Sequence, residues 1–470
     1  MTVLTEAPDT RSGSGAPAGR RSLITGALLA LFLAAADSTV VGSILPTMAR
    51  SLGQDELYPW LVSGFLLCSI LATAVSGAAA DRFGSRTAMC AALLLFAAGS
   101  AASAVAPGMV VLIAARALQG LGAGAVITLA YVLVGQVFDA AGRAKMQGLL
   151  SAIWGLAAVA GPALGSAAQA TVGWRWVFAV NLPLALAAAL VVARKAPAGT
   201  VDGSERPKLD GRALATFSVG LTALLIVVVS PEPVLLVIAA VIAAVTVTLH
   251  IRRVRRTPEA SLIPVAMVTD RVPRAAALVS LLASVLLYAS VTQLPLALTR
   301  TGAAGATASG LVVLVASLGW VAGSAVCAGL LGRFGGRTVA TIGGVLLAIG
   351  AAVLCLPTEP SLPAAIAGQL LAGLGTGFTV ATALVQAQNA APAEQLGAYT
   401  GAVTLCRNIG AAVGVNLIAS IQHGAEEDLG GADARVTSYR LAFGVLVAVG
   451  LLALPAARRL KSAATEAADD

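Results

Sequence analysis

The sequence predicts an all-α polytopic membrane protein in which fourteen transmembrane helices form two six-helix bundles with two additional helices between them. Three observations predict this fold class. Hydrophobic residues make up 58% of the 470 positions and charged residues only 11%, against about 25% in soluble domains. Apolar runs of about 20 residues, the length of one membrane crossing, recur along the chain. Several motifs repeat at a nearly constant offset between the two halves.

This composition excludes several other classes of protein. A soluble enzyme, a nucleic-acid-binding protein or a disordered chain of this length would carry far more charge. The net charge of +8 is instead typical of basic loops on the cytoplasmic side of a membrane. The five cysteines show no paired spacing, so we expect no disulfide and no metal site. The sequence lacks the Gly-Lys-Ser/Thr of a nucleotide-binding loop, so we expect neither ATP-driven activity nor any cofactor.

Apolar runs separated by short polar turns define the helices in order along the chain. The predicted spans are 23–44, 57–80, 88–106, 109–136, 145–170, 176–194, 212–230, 233–251, 275–298, 309–331, 338–356, 362–388, 396–421 and 438–457. With a cytoplasmic N-terminus, 23 of the 30 Lys and Arg residues lie in cytoplasmic segments and five lie outside. Such a bias predicts that both termini are cytoplasmic.

Basic clusters on both sides of spans seven and eight separate these two helices from the rest. The expected order is a disordered tail 1–22 without a cleaved signal peptide, an N-terminal bundle 23–195, a loop 196–211, two additional helices 212–251, a basic linker 252–274, a C-terminal bundle 275–457 and a tail 458–470. Only four of the 30 basic residues are lysine, a bias typical of GC-rich bacterial genomes. We therefore expect a multi-pass protein of the bacterial inner membrane.

Internal repeats support the two bundles. The turn Asp81–Thr87 matches Gly332–Thr338 at five of seven positions. Glycines of spans four and five recur 253 residues later in spans twelve and thirteen, the pairs being Gly120/Gly373, Gly122/Gly375, Gly124/Gly377, Gly148/Gly401 and Gly161/Gly414. Parallel repeats of six helices are typical of transporters that expose one site alternately to the two sides of a membrane.

These motifs resemble the major facilitator superfamily, and within it the fourteen-helix drug:proton antiporters, over residues 23 to about 457. The loop after span two is similar to the superfamily's G-x-x-x-D-R-x-G-R-K/R at Gly77, Asp81, Arg82, Gly84 and Arg86. Span four is similar to R-x-x-Q-G at Arg116, Gln119 and Gly120. Span five is similar to the antiporter motif G-P-x-x-G at Gly161, Pro162 and Gly165.

Two further stretches resemble the fourteen-helix branch. One runs from Asp37 to Pro46 in span one, and the other from Trp174 to Pro183 and includes Asn181-Leu182-Pro183. The chain departs from the family patterns at Gly42, Ser85 and Ser166, where Asn, Arg and Gly are expected. The resemblance implies the major facilitator fold and proton-coupled export of small molecules.

Asp37 is the only carboxylate well inside a predicted span. Burial disfavours the charged form of a carboxylate, so we expect Asp37 to be a proton carrier that ionises when its cavity opens to water, with a low proton count per cycle. The alternative is a structural hydrogen bond at the end of a kinked helix. By resemblance, Arg116 tunes Asp37 or a bound substrate; alternatively, its long side chain snorkels and is satisfied by carbonyl groups.

Arg407 brings the second half its only charge inside a span. It could hold an anionic or polar group of the substrate, or it could pair across the bundle. Other polar and aromatic span residues are expected to line a substrate cavity, although tight core packing explains the tryptophans equally well. These candidates are Trp154, Tyr131, Tyr288, Gln293, Trp320, Tyr399 and Asn416.

Two motifs are expected to control access to that cavity. Asp81, with Arg82 and Arg86, could form a cytoplasmic latch in which the Asp holds an Arg of a neighbouring helix; setting the topology through positive charge is the plainer alternative. By resemblance, the face of span five that carries Gly161 and Gly165 packs against the other half at the outer end and limits proton leak. Ordinary tight packing explains that face almost as well.

The predicted function is proton-coupled export of hydrophobic or amphipathic small molecules such as drugs and antibiotics. The expected partners are a small-molecule substrate, protons and membrane lipids, without nucleic acid, and the expected state is a monomer. Three alternatives remain: export of an endogenous metabolite or lipid, uptake instead of export, and a receptor or scaffold that transports nothing.

Overall fold

A computed structural model describes residues 18–461 except for 54–56, 58, 197–210, 230–232, 257–261, 357–360 and 430–431. The predicted loop 196–211 lies almost wholly outside the described residues, and so do 1–17 and 462–470 of the predicted tails, whereas 18–22 already belong to the first helix. Throughout the described part, regular structure is helical and no strand occurs. The predicted all-α membrane fold is therefore confirmed.

The helices follow the apolar runs closely. In order they are α1 (Ala18–Leu52), α2 (Pro59–Phe83), α3 (Ser85–Ala104), α4 (Met109–Val137), α5 (Ala140–Thr171), α6 (Arg175–Lys195), α7 (Gly211–Val229), α8 (Pro233–Arg256), the four-residue α9 (Ala266–Thr269), α10 (Arg271–Arg300), α11 (Ala306–Cys355), α12 (Leu362–Ala390), α13 (Leu396–Leu429) and α14 (Ala432–Ala457). Gly84, at φ 84°, separates α2 from α3, and its repeat partner Gly335, at φ 74°, bends α11. Glycine adopts such positive φ values at no steric cost.

Twelve helices within the described ranges are long and apolar enough to cross a membrane. One of them, Ala308–Cys355, contains 48 residues, about twice the length of one crossing. It covers the predicted spans 309–331 and 338–356 and bends between them at Gly335. The helix α7 is not among the twelve. The count of fourteen crossings therefore stays a prediction.

The helices pack in two groups. In the N-terminal group, α1–α6, α4 packs against α1, α2 and α3, while α6 packs against α1 and α3. In the C-terminal group, α10–α14, α12 packs against α10 and both parts of α11. The helices α7 and α8 pack against each other, and α7 also contacts α2 and α13. Most side chains of α8 are exposed apolar groups, as suits contact with lipid.

The repeated glycines lie at equivalent helix crossings in the two groups. A Cβ atom added at Gly120 or Gly124 would collide with the backbone of α2, and one added at Gly373 or Gly377 would collide with the backbone of α11. Because only glycine permits so close an approach, the pattern explains why both groups adopt the same arrangement. The repeat seen in the sequence is therefore a repeat of packing.

The two groups touch at one end of the molecule, the end that carries the α2–α3 turn, which we call the turn end. Here α2 packs against α13 and α5 packs against α11. Along the face of α5 that meets α11, Gly148 and Ser151 are buried, whereas Pro162 and Ser166, further along, are exposed. The corresponding face of α2 changes from buried Ile70 to exposed residues near its start. The groups therefore separate toward the opposite end.

Candidate functional site

Asp37 forms a buried ion pair in the N-terminal group. Its Oδ2 accepts a hydrogen bond from Nη1 of Arg116 at 2.6 Å, and the two residues are only 2% and 1% exposed. Its Oδ1 accepts from Nε2 of Gln119 at 2.8 Å and from Nδ2 of Asn181 at 3.0 Å. The carboxylate of α1 is thereby tied to α4 and α6.

Two of these donors, Arg116 and Gln119, come from one face of α4. Arg116 and Gln119 are three residues apart, so they are neighbours on the helix surface, and Arg116 Nη1 also donates to Oε1 of Gln119 at 2.6 Å. Gln119 Nε2 donates in addition to Oγ of Ser100, on α3, at 2.6 Å. The guanidinium group lies 4.0 Å from the ring centroid of Phe65, a cation–π contact. The carboxylate thus joins three helices, α1, α4 and α6, and Ser100 and Phe65 add contacts from α3 and α2 to their partners.

The arrangement links the charge of Asp37 to the position of the helices. A buried ion pair is stable only while both partners remain charged, because loss of one charge leaves the other unpaired in a medium of low dielectric constant. Protonation of Asp37 would therefore require Arg116 to find a new partner. The structure brings Asp37 and Arg116 together, and Arg116 is held by side chains and does not snorkel to carbonyl groups.

The polar groups missed from the sequence are Ser100 and Asn181. Asn181 lies within the Asn-Leu-Pro stretch of span six, but nothing in that stretch pointed to Asp37. Ser100 carried no signal, since single serines are common in apolar spans and their orientation depends on helix rotation.

The C-terminal group carries an uncharged counterpart of this pair. Ser290 and Gln369 lie 253 residues after Asp37 and Arg116, the offset of the repeated glycines. The two side chains are fully buried, and Ser290 Oγ donates to Gln369 Oε1 at 3.2 Å. The contact between α10 and α12 therefore corresponds to the contact between α1 and α4, with a hydrogen bond between neutral side chains in place of the ion pair.

Arg407 connects the two groups near the middle of α13. It is 7% exposed, and its Nη1 donates to the hydroxyl oxygen of Tyr131, on α4, at 3.4 Å. Tyr288, on α10, is also a neighbour of Arg407. Pairing across the bundle is thus present, with a phenol as the partner.

The remaining predicted cavity residues do not gather at one place. Trp154 of α5 and Trp320 of α11 stack between the two groups, with ring centroids 6.4 Å apart. Gln293 is buried on α10. Asn416 donates to the carbonyl of Ala412 in its own helix at 2.8 Å. Tyr399 is part of the buried apolar core near the turn end, so its assignment to a cavity lining is not supported by this packing.

Asp81 links the two groups at the turn end. Its carboxylate accepts hydrogen bonds from the backbone N–H groups of Gly397 at 2.8 Å and Ala398 at 2.7 Å. The predicted partner was an arginine; the observed partners are in the first turn of α13, where N–H groups have no acceptor within the helix and the helix dipole favours an anion. A Cβ atom at Gly77 would collide with the backbone of Gly397, so glycine is needed for this approach.

Other residues of this loop make contacts within the N-terminal group. Arg82 packs over the ring of Phe83 at 5.4 Å, and Arg86 is half-buried. Gly84 makes the turn into α3. Ser85, which stands where the family pattern has Arg, donates to Oε1 of Gln136 at 2.7 Å.

The antiporter motif of α5 packs differently from the expectation. A Cβ atom at Gly161 would collide with the side chain of Thr39 on α1, and Thr39 Oγ1 donates to the carbonyl of Ala157 at 2.9 Å. Gly165 is also buried, whereas Pro162 is exposed. Gly161 thus faces its own group. The predicted contact with the other half is not made in this conformation, because the two groups are apart at that end.

An all-helical bundle of two repeat-related groups, with a buried ion pair in one and a closed contact at one end, defines the class of polytopic membrane transporters. The sequence pattern of the Major Facilitator Superfamily matches residues 27–415, and the chain belongs to this superfamily.

Individual relatives agree with this assignment. The chain is 26% identical over 427 residues to the Multidrug transporter protein MdtP of Bacillus subtilis (strain 168), covering 89% of this chain and 78% of that protein. It is 30% identical over 408 residues to the Acurin A biosynthesis cluster MFS-type transporter of Aspergillus aculeatus, covering 84% and 73%.

Solved structures share the fold. The human organic anion transporter MFSD10 superposes with a TM-score of 0.69 at 17% identity, covering 94% of this chain and 100% of that one. The proton:xylose symporter XylE superposes with a TM-score of 0.64 at 15% identity, covering 93% and 94%.

Proposed function

We propose that the protein is a proton-coupled antiporter of the fourteen-helix drug:proton branch, which exports hydrophobic or amphipathic small molecules by alternating access. The observation that carries this proposal is the buried pair of Asp37 and Arg116, with Gln119 and Asn181 on the same carboxylate. A group that can change its charge while it ties three helices together suits a coupling site.

The proposed cycle follows from that pair. A proton arriving from outside neutralises Asp37, which frees Arg116 and weakens the hydrogen bonds that tie α1 to α4 and α6. The N-terminal group then repacks, and the transporter returns to the inward-facing state. Loss of the proton to the cytoplasm accompanies loading of the substrate. Each proton contributes about 2.3 kcal/mol per 100 mV of membrane potential, in addition to the pH difference.

The proposed topology places the turn end in the cytoplasm of a bacterial cell, with both termini on that side of the inner membrane. The basic residues concentrated at this end support the orientation. In this orientation the contact of Asp81 with α13 closes the cytoplasmic side. The groups α1–α6 and α10–α14 act as the two bundles that rock against each other, with α7 and α8 as the additional pair, and a monomer suffices.

A second candidate substrate class is an endogenous metabolite. The 30% identical relative from Aspergillus aculeatus is named for a biosynthesis cluster, which favours export of a compound that the cell itself makes. The relative from Bacillus subtilis is named as a multidrug transporter and favours foreign compounds.

Growth of cells with and without the protein, on a panel of toxic compounds and natural products, separates these classes.

Cargo uptake by inverted membrane vesicles then tests the mechanism, with a pH gradient imposed and afterwards collapsed by an uncoupler. We expect vesicles with the wild-type protein to take up the cargo until the uncoupler is added, and vesicles with Asp37→Asn to take up none. The matched control is Glu394→Gln, the same chemical change at an exposed carboxylate of the turn end. Uptake by Asp37→Asn at the wild-type rate would refute the coupling role.

A further inference from the structure

Arg407 is a buried cation whose guanidinium group forms no ion pair with any carboxylate among the residues that the structure describes. Its Nε, like that of Arg116, is buried without a hydrogen-bond partner. The phenol of Tyr131 contacts it through a hydrogen bond and through the ring face, and Tyr288 lies nearby. An unpaired buried charge is costly, so its presence calls for a ligand that supplies the missing charge.

Arg116 and Arg407 differ in their counter-ions. Both arginines lie inside predicted spans and are almost completely buried. Arg116 is neutralised by Asp37 at 2.6 Å, whereas Arg407 has the uncharged hydroxyl of Tyr131 at 3.4 Å and the ring of the same tyrosine 5.5 Å from its guanidinium carbon. Within the described part of the chain, one membrane arginine thus has a carboxylate counter-ion and the other has none.

The position of Arg407 is that of a ligand site. Every residue of α13 from Leu396 to Leu405 is buried, and most residues after Arg407 are half-exposed. Arg407 therefore lies at the floor of the region where the two helix groups begin to separate. Its two phenol neighbours come from α4 and α10, so helices of both groups meet at this point.

The donors present here match an oxyanion. A guanidinium group has five N–H donors in a planar fork that fits two oxygen atoms of a carboxylate, sulfonate or phosphate. Because the Tyr131 hydroxyl accepts from Arg407 through its oxygen, its own hydrogen remains able to donate to a ligand.

We infer that Arg407, with Tyr131 and Tyr288, binds an anionic oxygen group of the cargo, so that the substrate class is an amphipathic organic anion. This inference rests on the proposed transport function and narrows its substrate. Export of a monoanion in exchange for one proton moves positive charge inward twice, so an inside-negative membrane potential drives both movements.

The test compares two dyes that share a xanthene ring system, anionic fluorescein and cationic rhodamine 123. Their binding to the purified full-length protein is measured by fluorescence polarisation at pH 7.5. We expect Arg407→Gln to weaken fluorescein binding at least tenfold, the loss of a charge-assisted contact, and to leave rhodamine 123 binding unchanged. Arg407→Lys keeps the positive charge but loses the planar fork of N–H donors, so its affinity for fluorescein should lie between those of the wild-type protein and Arg407→Gln. The control Arg300→Gln alters an exposed arginine at the end of α10 and should change neither.

Thermal unfolding provides a second measurement that needs no ligand. Removal of an unpaired buried charge should leave the melting temperature of Arg407→Gln unchanged or raise it. A fall of several degrees would show that Arg407 is a structural residue, and would overturn the inference. Absence of fluorescein binding by the wild-type protein, or equal binding by Arg407→Gln, would also overturn it. Failure of the proposed function looks different: vesicles would move neither dye in response to a pH gradient, although fluorescein binding still depended on Arg407.

Discussion

Replacement of Asp81 by Asn should open the turn end of the molecule. The carboxylate accepts from two backbone N–H groups of α13, and hydrogen bonds to charged groups contribute about 1.5–3 kcal/mol each. An Asn side chain retains one neutral acceptor worth about 1 kcal/mol. Closure should therefore weaken by about 2–5 kcal/mol, a shift of about 30-fold or more toward the state that is open at this end.

Distances between two spin labels measure this shift directly. Thr87 and Thr338 are exposed, lie at the turn end in opposite groups and occupy equivalent positions of the repeat. In a background without the native cysteines, labels at Thr87→Cys and Thr338→Cys should show a longer distance population in Asp81→Asn than in the wild-type protein.

The matched control is Asp270→Asn, the same chemical change at an exposed carboxylate at the start of α10, also at the turn end. The Oδ1 of Asp270 accepts from Oγ1 of the adjacent Thr269 at 2.8 Å, within its own group. This control should leave the distance distribution unchanged. An unchanged distribution in a folded Asp81→Asn protein would refute the assignment of Asp81 as the latch between the groups.

Further predictions concern the ion pair and the glycine contact. Arg116→Gln should destabilise the protein by about 3–5 kcal/mol, because Asp37 then remains buried without its counter-ion; the double variant with Asp37→Asn should be more stable than the single one in thermal unfolding. Gly77→Ala should abolish transport and lengthen the same spin-label distance, since a Cβ atom there collides with Gly397. Gly310→Ala, on an open helix surface with no atom within 4 Å of the added Cβ, should transport normally; equal activity of the two alanine variants would contradict the packing argument.

The charged part of the candidate site could be predicted from the sequence because charges are rare in apolar spans. Asp37 and Arg116 were identifiable by that fact alone, and the glycine spacing indicated the close helix crossings. The partners Ser100 and Asn181 could not be selected, since neutral polar residues are frequent in spans and their direction depends on the rotation of each helix. The partners of Asp81 were hidden for another reason: they are backbone N–H groups, which every residue except proline carries.

The packing of Gly161 differs from the expectation because it depends on the conformation of the protein. The expectation that Gly161 faces the other half describes a contact that can form only when the two groups meet at the end opposite the turn. In the structure they are apart there, so Gly161 packs on Thr39 instead. A sequence motif reflects the contacts that its residues make in every conformation of the protein, whereas a single structure shows one conformation.

The central claim is that Asp37 exchanges a proton when cargo binds. Purified protein in a weakly buffered solution with a pH-sensitive dye, mixed with a cargo identified in the growth panel, measures this exchange directly. We expect the wild-type protein to release protons on binding and Asp37→Asn to bind the cargo without proton release. Equal release from both proteins would contradict the claim.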